Sequence, residues 1–253
     1  MVKQIPNIFT LLNLFFGCIA IVFALQTESF LINVNEDYSS SFNLPEKLAY
    51  ASIFIYIAAI VDFFDGFVAR LFKASSEMGK QLDSLADVVS FGVAPGVILY
   101  QLLRISYLQE ENGINTSIIF LLPAFLYSCA GAYRLARFNI DTSQSYSFKG
   151  VPIPAAGLVV ASFPLILHGG SYININQWLI NKWILYVVIL VLSWLMISTL
   201  PLMALKFKDF SVKNNLPKII LLIVTVIAAI LFHWLAVPII FVVYIILSLF
   251  FKQ

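Results

Sequence analysis

The chain has 253 residues, of which 61% are hydrophobic and only 11% charged, with a mean hydropathy of +0.94. Soluble domains are about 25% charged, so the composition excludes a soluble globular protein and defines a polytopic membrane protein with no polar segment long enough for a separate soluble domain. A net charge of +2 is too small to point to a nucleic-acid partner.

A helix that spans the hydrocarbon core needs roughly 20 mostly apolar residues. The apolar runs predict an all-α bundle of about eight such helices, at 7–25, 48–71, 82–105, 117–138, 153–169, 177–200, 217–232 and 235–251. The first run is longer than a signal-peptide core and ends in no small-residue cleavage site, so it reads as a retained helix. The fifth begins in the proline-rich GVPIPAAG, and the last two are separated only by His233 and Trp234, which predicts a tight hairpin. Residues 1–253 are expected to form one membrane domain, with the first six helices as its core and 217–251 as an added hairpin.

Orientation follows from the distribution of Lys and Arg. With the N-terminus inside and the helices alternating, Lys3, Arg70, Lys73, Lys80, Arg134, Arg137, Lys149, Lys206, Lys208, Lys213, Lys218 and Lys252 fall inside. Only Lys47, Arg104 and Lys182 fall outside, 3 of the 15 cations. Both termini are therefore expected in the cytoplasm, for a multi-pass protein of the cell membrane. The acidic stretches NVNEDYSSS and QEENG fall on the outer side. Cys18 and Cys129 lie in apolar runs and are expected to be buried and unpaired. His168 and His233 read as neutral interfacial residues, and Trp178, Trp183 and Trp234 as an aromatic belt.

Chemistry concentrates in VDFFDGFVARLFKASSEMGKQLDSLAD, Val61 to Asp87, which holds Asp62, Asp65, Asp83 and Asp87, four of the 13 acidic residues of the chain, besides Glu77. Asp62, Asp65, Gly66 and Ala69 stand at i, i+3, i+4 and i+7, one face of the second helix. Gly79, Asp83 and Asp87 stand at i, i+4 and i+8, one face of the third. The linking loop is short, so two pairs of carboxylates face each other across a helix pair at the cytoplasmic side. Carboxylates this close repel, and a hard divalent cation relieves them best. Oxygen-only ligands select Mg²⁺, Mn²⁺ or Ca²⁺ over zinc, and no His or Cys lies nearby. Two ions about 3.5–4 Å apart are the usual clamp for displacement at phosphorus. Gly66, Ala69 and Gly79 either let the helices approach each other or leave room for a flat ligand. Arg70 offers a cation to phosphate oxygens or snorkels to the interface.

The spacing Asp-x2-Asp-Gly-x2-Ala-Arg-x8-Gly-x3-Asp-x3-Asp resembles the signature of the CDP-alcohol phosphotransferases, with every position filled from Asp62 to Asp87. The resemblance implies transfer of a phosphatidyl group from a CDP-linked lipid to an alcohol, with release of CMP. It implies that Asp62, Asp65 and Asp83 bind two metal ions, Mg²⁺ or Mn²⁺ with Ca²⁺ as a further candidate. Asp87 would help bind a metal and act as the base, while Gly66, Ala69, Arg70 and Gly79 would surround the CDP group. Members are commonly homodimers, so a homodimer among membrane lipids is expected.

Two further stretches, IPNIFTLLNLFFG and GAYRLARFNIDTSQSYSFKGVPIPAAG, resemble the branch of the family that accepts serine, as does the eight-helix count. The substrates implied are CDP-diacylglycerol and L-serine. Serine is a zwitterion and needs a cation for its carboxylate. Arg134 and Arg137, at i and i+3, are candidates for that carboxylate or for a lipid phosphate, with Asn139 and Lys149 near them. Asn7, Thr10 and Asn13 repeat at i, i+3 and i+6 and either line the nucleotide site or join helices by hydrogen bonds. The same chemistry with glycerol 3-phosphate or an inositol phosphate is the alternative. A cation transporter is the alternative of another class, disfavoured by the lack of an internal repeat. A scaffold without activity is disfavoured by the complete set of aspartates.

Overall fold

The structure, a computed structural model, describes residues 5–26, 46–71, 76–110, 113–140, 148–169, 173–203 and 212–251. Lys3, Lys73, Lys206, Lys208 and Lys252, the stretch NVNEDYSSS and part of QEENG lie outside these residues, as do the side chains of Ala69, Lys149 and Lys213.

Helix α1 (Ile5–Leu25) and α2 (Glu46–Leu71) pack along each other. The buried positions of α1, Pro6, Thr10, Asn13, Gly17, Ala20 and Ala24, recur at alternating steps of four and three, the seam of a close helix pair. Most of them are small, as close approach in lipid requires. A Cβ on Gly17 would stand 2.3 Å from the Ser90 hydroxyl, so α1 can lie this near the next helix only with glycine there.

That next helix is a continuous rod from Glu77 to Leu108: α3 (Glu77–Asp87), a π-helical segment (Val88–Val93) and α4 (Ala94–Leu108). It starts five residues earlier than the apolar run suggested. The Ser76 hydroxyl accepts a hydrogen bond from the Gly79 N–H (3.0 Å) and caps the new end. The π-segment lies against α5 (Ala124–Ile140) and α6 (Ile153–Gly169). The Tyr127 hydroxyl donates to the Phe91 carbonyl (2.9 Å) and the Ser128 hydroxyl to that of Gly92 (2.9 Å). Phe91, Tyr127 and Ile153 are fully buried here.

Two expected helices are interrupted. The run at 117–138 is a 3₁₀ turn (Ile118–Phe120) followed by α5, which starts directly after Pro123, a residue that lacks the N–H for an interior helical bond. The run at 177–200 is divided into α7 (Ile173–Leu179) and α8 (Lys182–Ile197). Asn181 accepts from the Trp183 N–H (2.9 Å) and starts a new helix. Helices α9 (Val212–Phe232) and α10 (Ala236–Phe250) pack on each other. They reverse at His233, whose φ of 48° is left-handed.

The fold is all-helical, as expected, and among the described residues the helices are joined by one short extended pairing. β1 (Phe148–Lys149) pairs antiparallel with β2 (Pro201–Leu202), Phe148 opposite Leu202 and Lys149 opposite Pro201. Gly150, at φ 76°, follows β1 and donates to the Leu200 carbonyl (3.0 Å). Cys18 and Cys129 are free, as expected, but exposed rather than buried. A small residue on a membrane helix can face lipid without penalty.

Among the described residues, four helical stretches are long and apolar enough to cross a membrane: Pro6–Leu25, Glu46–Val68, Glu77–Leu108 and Asn215–Phe250. Helices α6 and α8 are apolar but shorter. Trp178, Trp183 and Trp234 are exposed, as a belt requires.

Candidate active site

The first half of α1, the end of α2 and the start of α3 meet at one end of the bundle. Among the described residues, Asp62, Asp83 and Asp87 form a group in which one carboxylate oxygen of each lies within 4.8 Å of the others. Asp87 is buried, and Asp62 and Asp83 are half-buried. Asp65, also buried, accepts a hydrogen bond from the Thr10 hydroxyl and lies within electrostatic range of Asp62 and Asp83. The helical spacing read from the sequence therefore brings all four aspartates to one place.

Asn13, one turn beyond Thr10, touches the cluster from the α1 side. Its Nδ2 donates to Asp62 Oδ1 (3.3 Å) and to Asp87 Oδ1 (3.4 Å). Its own Oδ1 is buried and has no hydrogen-bond partner among the described residues. Its backbone carbonyl accepts from the Ser90 hydroxyl (3.0 Å). Thr10 and Asn13 thus serve the carboxylates directly, where the sequence left a choice between nucleotide lining and helix joining.

These residues fit a divalent cation. Metal–oxygen distances for Mg²⁺ and Ca²⁺ are about 2.0–2.6 Å, so ligand oxygens on opposite sides of one ion stand about 4–5 Å apart, the span found here. Two like charges at about 5 Å repel by roughly 3 kcal/mol at an effective dielectric constant of about 20. An enclosed set of acids without a counter-charge is therefore costly. The ligand atoms the group offers are all oxygen.

The small residues divide. A Cβ on Gly66 would meet nothing within 4 Å among the described residues, so their packing does not need a glycine there, and Gly66 leaves open space beside Asp65. A Cβ on Gly79 would stand 3.2 Å from Asn7 Oδ1 and 3.1 Å from the Ser76 hydroxyl, so Gly79 is a tight contact that brings Asn7 onto α3. Arg70 is exposed, one turn beyond Gly66.

The basic candidates on α5 also separate. Arg134 is buried, its guanidinium 5.2 Å from the Phe138 ring centre and within electrostatic range of Asp87. Arg137 donates to the Ile197 carbonyl (3.0 Å) at the last turn of α8. Asn139 donates to the Ser84 hydroxyl (2.8 Å), and its carbonyl accepts from Lys80 Nζ (3.3 Å), which latches α5 to α3. Sequence reasoning missed Ser84, Lys80 and Ser90, because serines and a lysine at helix surfaces carry no pattern of their own.

Residues 3–197 match the family description CDP-alcohol phosphatidyltransferase, and the chain belongs to that family. A CDP-diacylglycerol–serine O-phosphatidyltransferase of Bacillus subtilis (strain 168) is 41% identical over 136 residues, 50% of this chain and 72% of that protein. A protein of the same description from Helicobacter pylori (strain J99) is 38% identical over 157 residues, 61% of this chain and 54% of that one. An archaetidylserine synthase of Methanothermobacter thermautotrophicus is 33% identical over 138 residues, 53% of this chain and 55% of that one. The matches therefore span only about half the length of the last two relatives.

Proposed function

We propose that this chain transfers the phosphatidyl group of CDP-diacylglycerol to the hydroxyl of L-serine, giving phosphatidylserine and CMP. The observation that carries the reading is the group of Asp62, Asp83 and Asp87, with Asp65 beside it and open space at Gly66. Family membership supports the transfer, and the names of the relatives support serine as the acceptor.

The serine hydroxyl oxygen attacks the phosphorus that bears the diacylglycerol. A new P–O bond forms, the P–O bond to CMP breaks, and the hydroxyl proton passes to the Asp87 carboxylate. Asp62, Asp65, Asp83 and Asp87 hold Mg²⁺ or Mn²⁺, two ions in the full site, with Ca²⁺ as the other oxygen-seeking candidate. Bound there, the ions neutralise the diphosphate and the departing phosphate of CMP. Gly66, Ala69, Arg70 and Gly79 surround the CDP group, and Asn7 and Thr10 close it from α1. Arg134, buried near Asp87, receives the serine carboxylate. Arg137 and Asn139 hold the surrounding helix ends, and Lys149 is reserved for a lipid phosphate.

The chain is read as eight spans: α1, α2, the rod, α5, α6, α8, α9 and α10. Both termini and the site face the cytoplasm at the cell membrane, and two copies associate. The family match ends at residue 197, which supports an enzymatic core followed by an added hairpin.

The test is CMP release by the purified protein from CDP-diacylglycerol with Mn²⁺ or Mg²⁺, with and without L-serine. Serine-dependent release is the expected result. Release only with glycerol 3-phosphate or an inositol phosphate keeps the chemistry and replaces the acceptor. No release with any alcohol, together with metal flux in vesicles, overturns the enzyme reading.

A further inference from the structure

Asn13 is fully buried, and its amide joins a carboxylate of α2 to one of α3 through a pair of hydrogen bonds. Both acceptors fix which way the amide turns: the nitrogen faces the two aspartates, and the oxygen is buried without a partner among the described residues. A buried polar atom in that condition calls for an explanation, and here the atom is one carbon away from a nitrogen that touches two members of an oxygen cluster. The backbone is pinned as well, because the Asn13 carbonyl accepts from Ser90, and Gly17 allows that approach.

The other buried residues of the α1 seam are Pro6, Thr10, Gly17, Ala20 and Ala24, so four of the five are apolar. Packing alone therefore does not account for an asparagine. A carboxylate would add another negative charge to the cluster. A neutral amide supplies a donor to two acids and adds no charge.

We propose that Asn13 is a positioning residue for the carboxylate cage, tying Asp62 to Asp87 across two helices and thereby setting the affinity of the cage for a divalent cation. The inference rests on the metal reading given above. By occupying one acceptor position on each acid, the amide orders both side chains before an ion arrives. Groups that orient metal ligands in this way typically change affinity by about 10–100-fold when removed.

The experiment is Mn²⁺ binding to the full chain in lipid nanodiscs, by calorimetry and by electron paramagnetic resonance, with the thermal midpoint of the metal-free protein measured beside it. Asn13→Leu keeps the branched skeleton, in a bulkier form, and removes the amide. Asn13→Ala only removes atoms and serves if the leucine variant does not fold. Ser90→Ala cuts the backbone tie and keeps the amide. Both Asn13 variants are expected to bind Mn²⁺ about 10–100-fold more weakly, and Ser90→Ala within about threefold of the native chain. Native binding with unchanged affinity in both Asn13 variants, whatever their midpoints, overturns this inference alone. A native chain that binds no Mn²⁺ removes the metal reading, and this inference with it.

Discussion

The hydroxyl of Thr10 on α1 donates to the carboxylate of Asp65 on α2, a contact between residues 55 positions apart in the chain. It ties the first helix to the acid that stands beside the open space at Gly66. Thr10→Val keeps the shape and removes the donor. A hydrogen bond to a charged group contributes about 1.5–3 kcal/mol, so kcat/KM for CMP release should fall by about 10–100-fold. An unchanged value would mean that Asp65 holds its place without α1.

Asp87→Asn preserves volume and hydrogen bonding at a buried position. If Asp87 takes the proton of the acceptor, turnover should be abolished while binding of CDP-diacylglycerol largely survives. Equilibrium binding of the labelled lipid, measured beside turnover, checks both halves. Retention of native turnover would remove Asp87 as the base.

The two arginines of α5 should behave differently. Arg134→Gln should raise KM for serine at least tenfold, with a much smaller change for CDP-diacylglycerol. Arg137→Gln loses one hydrogen bond to the Ile197 carbonyl and should cost at most about 1 kcal/mol of stability. Its KM for serine should stay near native. Equal kinetic effects in the two variants would contradict the separation seen in the structure.

Gly150→Ala meets two obstacles. The backbone is left-handed at φ 76°, and the new Cβ would lie 2.6 Å from the Ser198 carbonyl and 2.7 Å from that of Met196. Strain of this kind costs on the order of 1–3 kcal/mol. The thermal midpoint should drop by several degrees, and a midpoint equal to that of the native chain would show that β1 and β2 can shift freely.

Chelation should abolish CMP release, and Mn²⁺ or Mg²⁺ should restore it. Ligand in 100-fold excess over Kd stabilises by about 2.7 kcal/mol, so the same ions should raise the thermal midpoint. Activity that survives exhaustive chelation would exclude the metal role.

How much of this was legible beforehand depended on the range of the interaction. The faces of α2 and α3 were readable because helical periodicity is local, and Asp62, Asp65, Asp83 and Asp87 repeat at its spacing. The start of α3 was missed although Ser76 stands in plain sight, since hydropathy ignores a polar first turn. The break at Asn181 was hidden within a long apolar run for a related reason. Which way Cys18 and Cys129 face was not readable, because in lipid the outer surface is as apolar as the interior. The β1–β2 pairing and the Asn13 contacts join residues far apart in sequence, so no local pattern announces them. The division between Arg134 and Arg137 depends on the end of α8, about 60 residues away.

The π-helical segment at Val88–Val93 is the joint at which the rod changes phase. Below it, Asp83 and Asp87 are aimed at the first two helices; above it, the same rod aims buried side chains into the membrane interior. One residue corresponds to about 100° of rotation in an α-helix. Removing a single residue from the segment would thus turn the acids away from their partners while every side chain above stayed correctly seated. The aim of the reactive groups and the seating of the anchor are set separately within one helix.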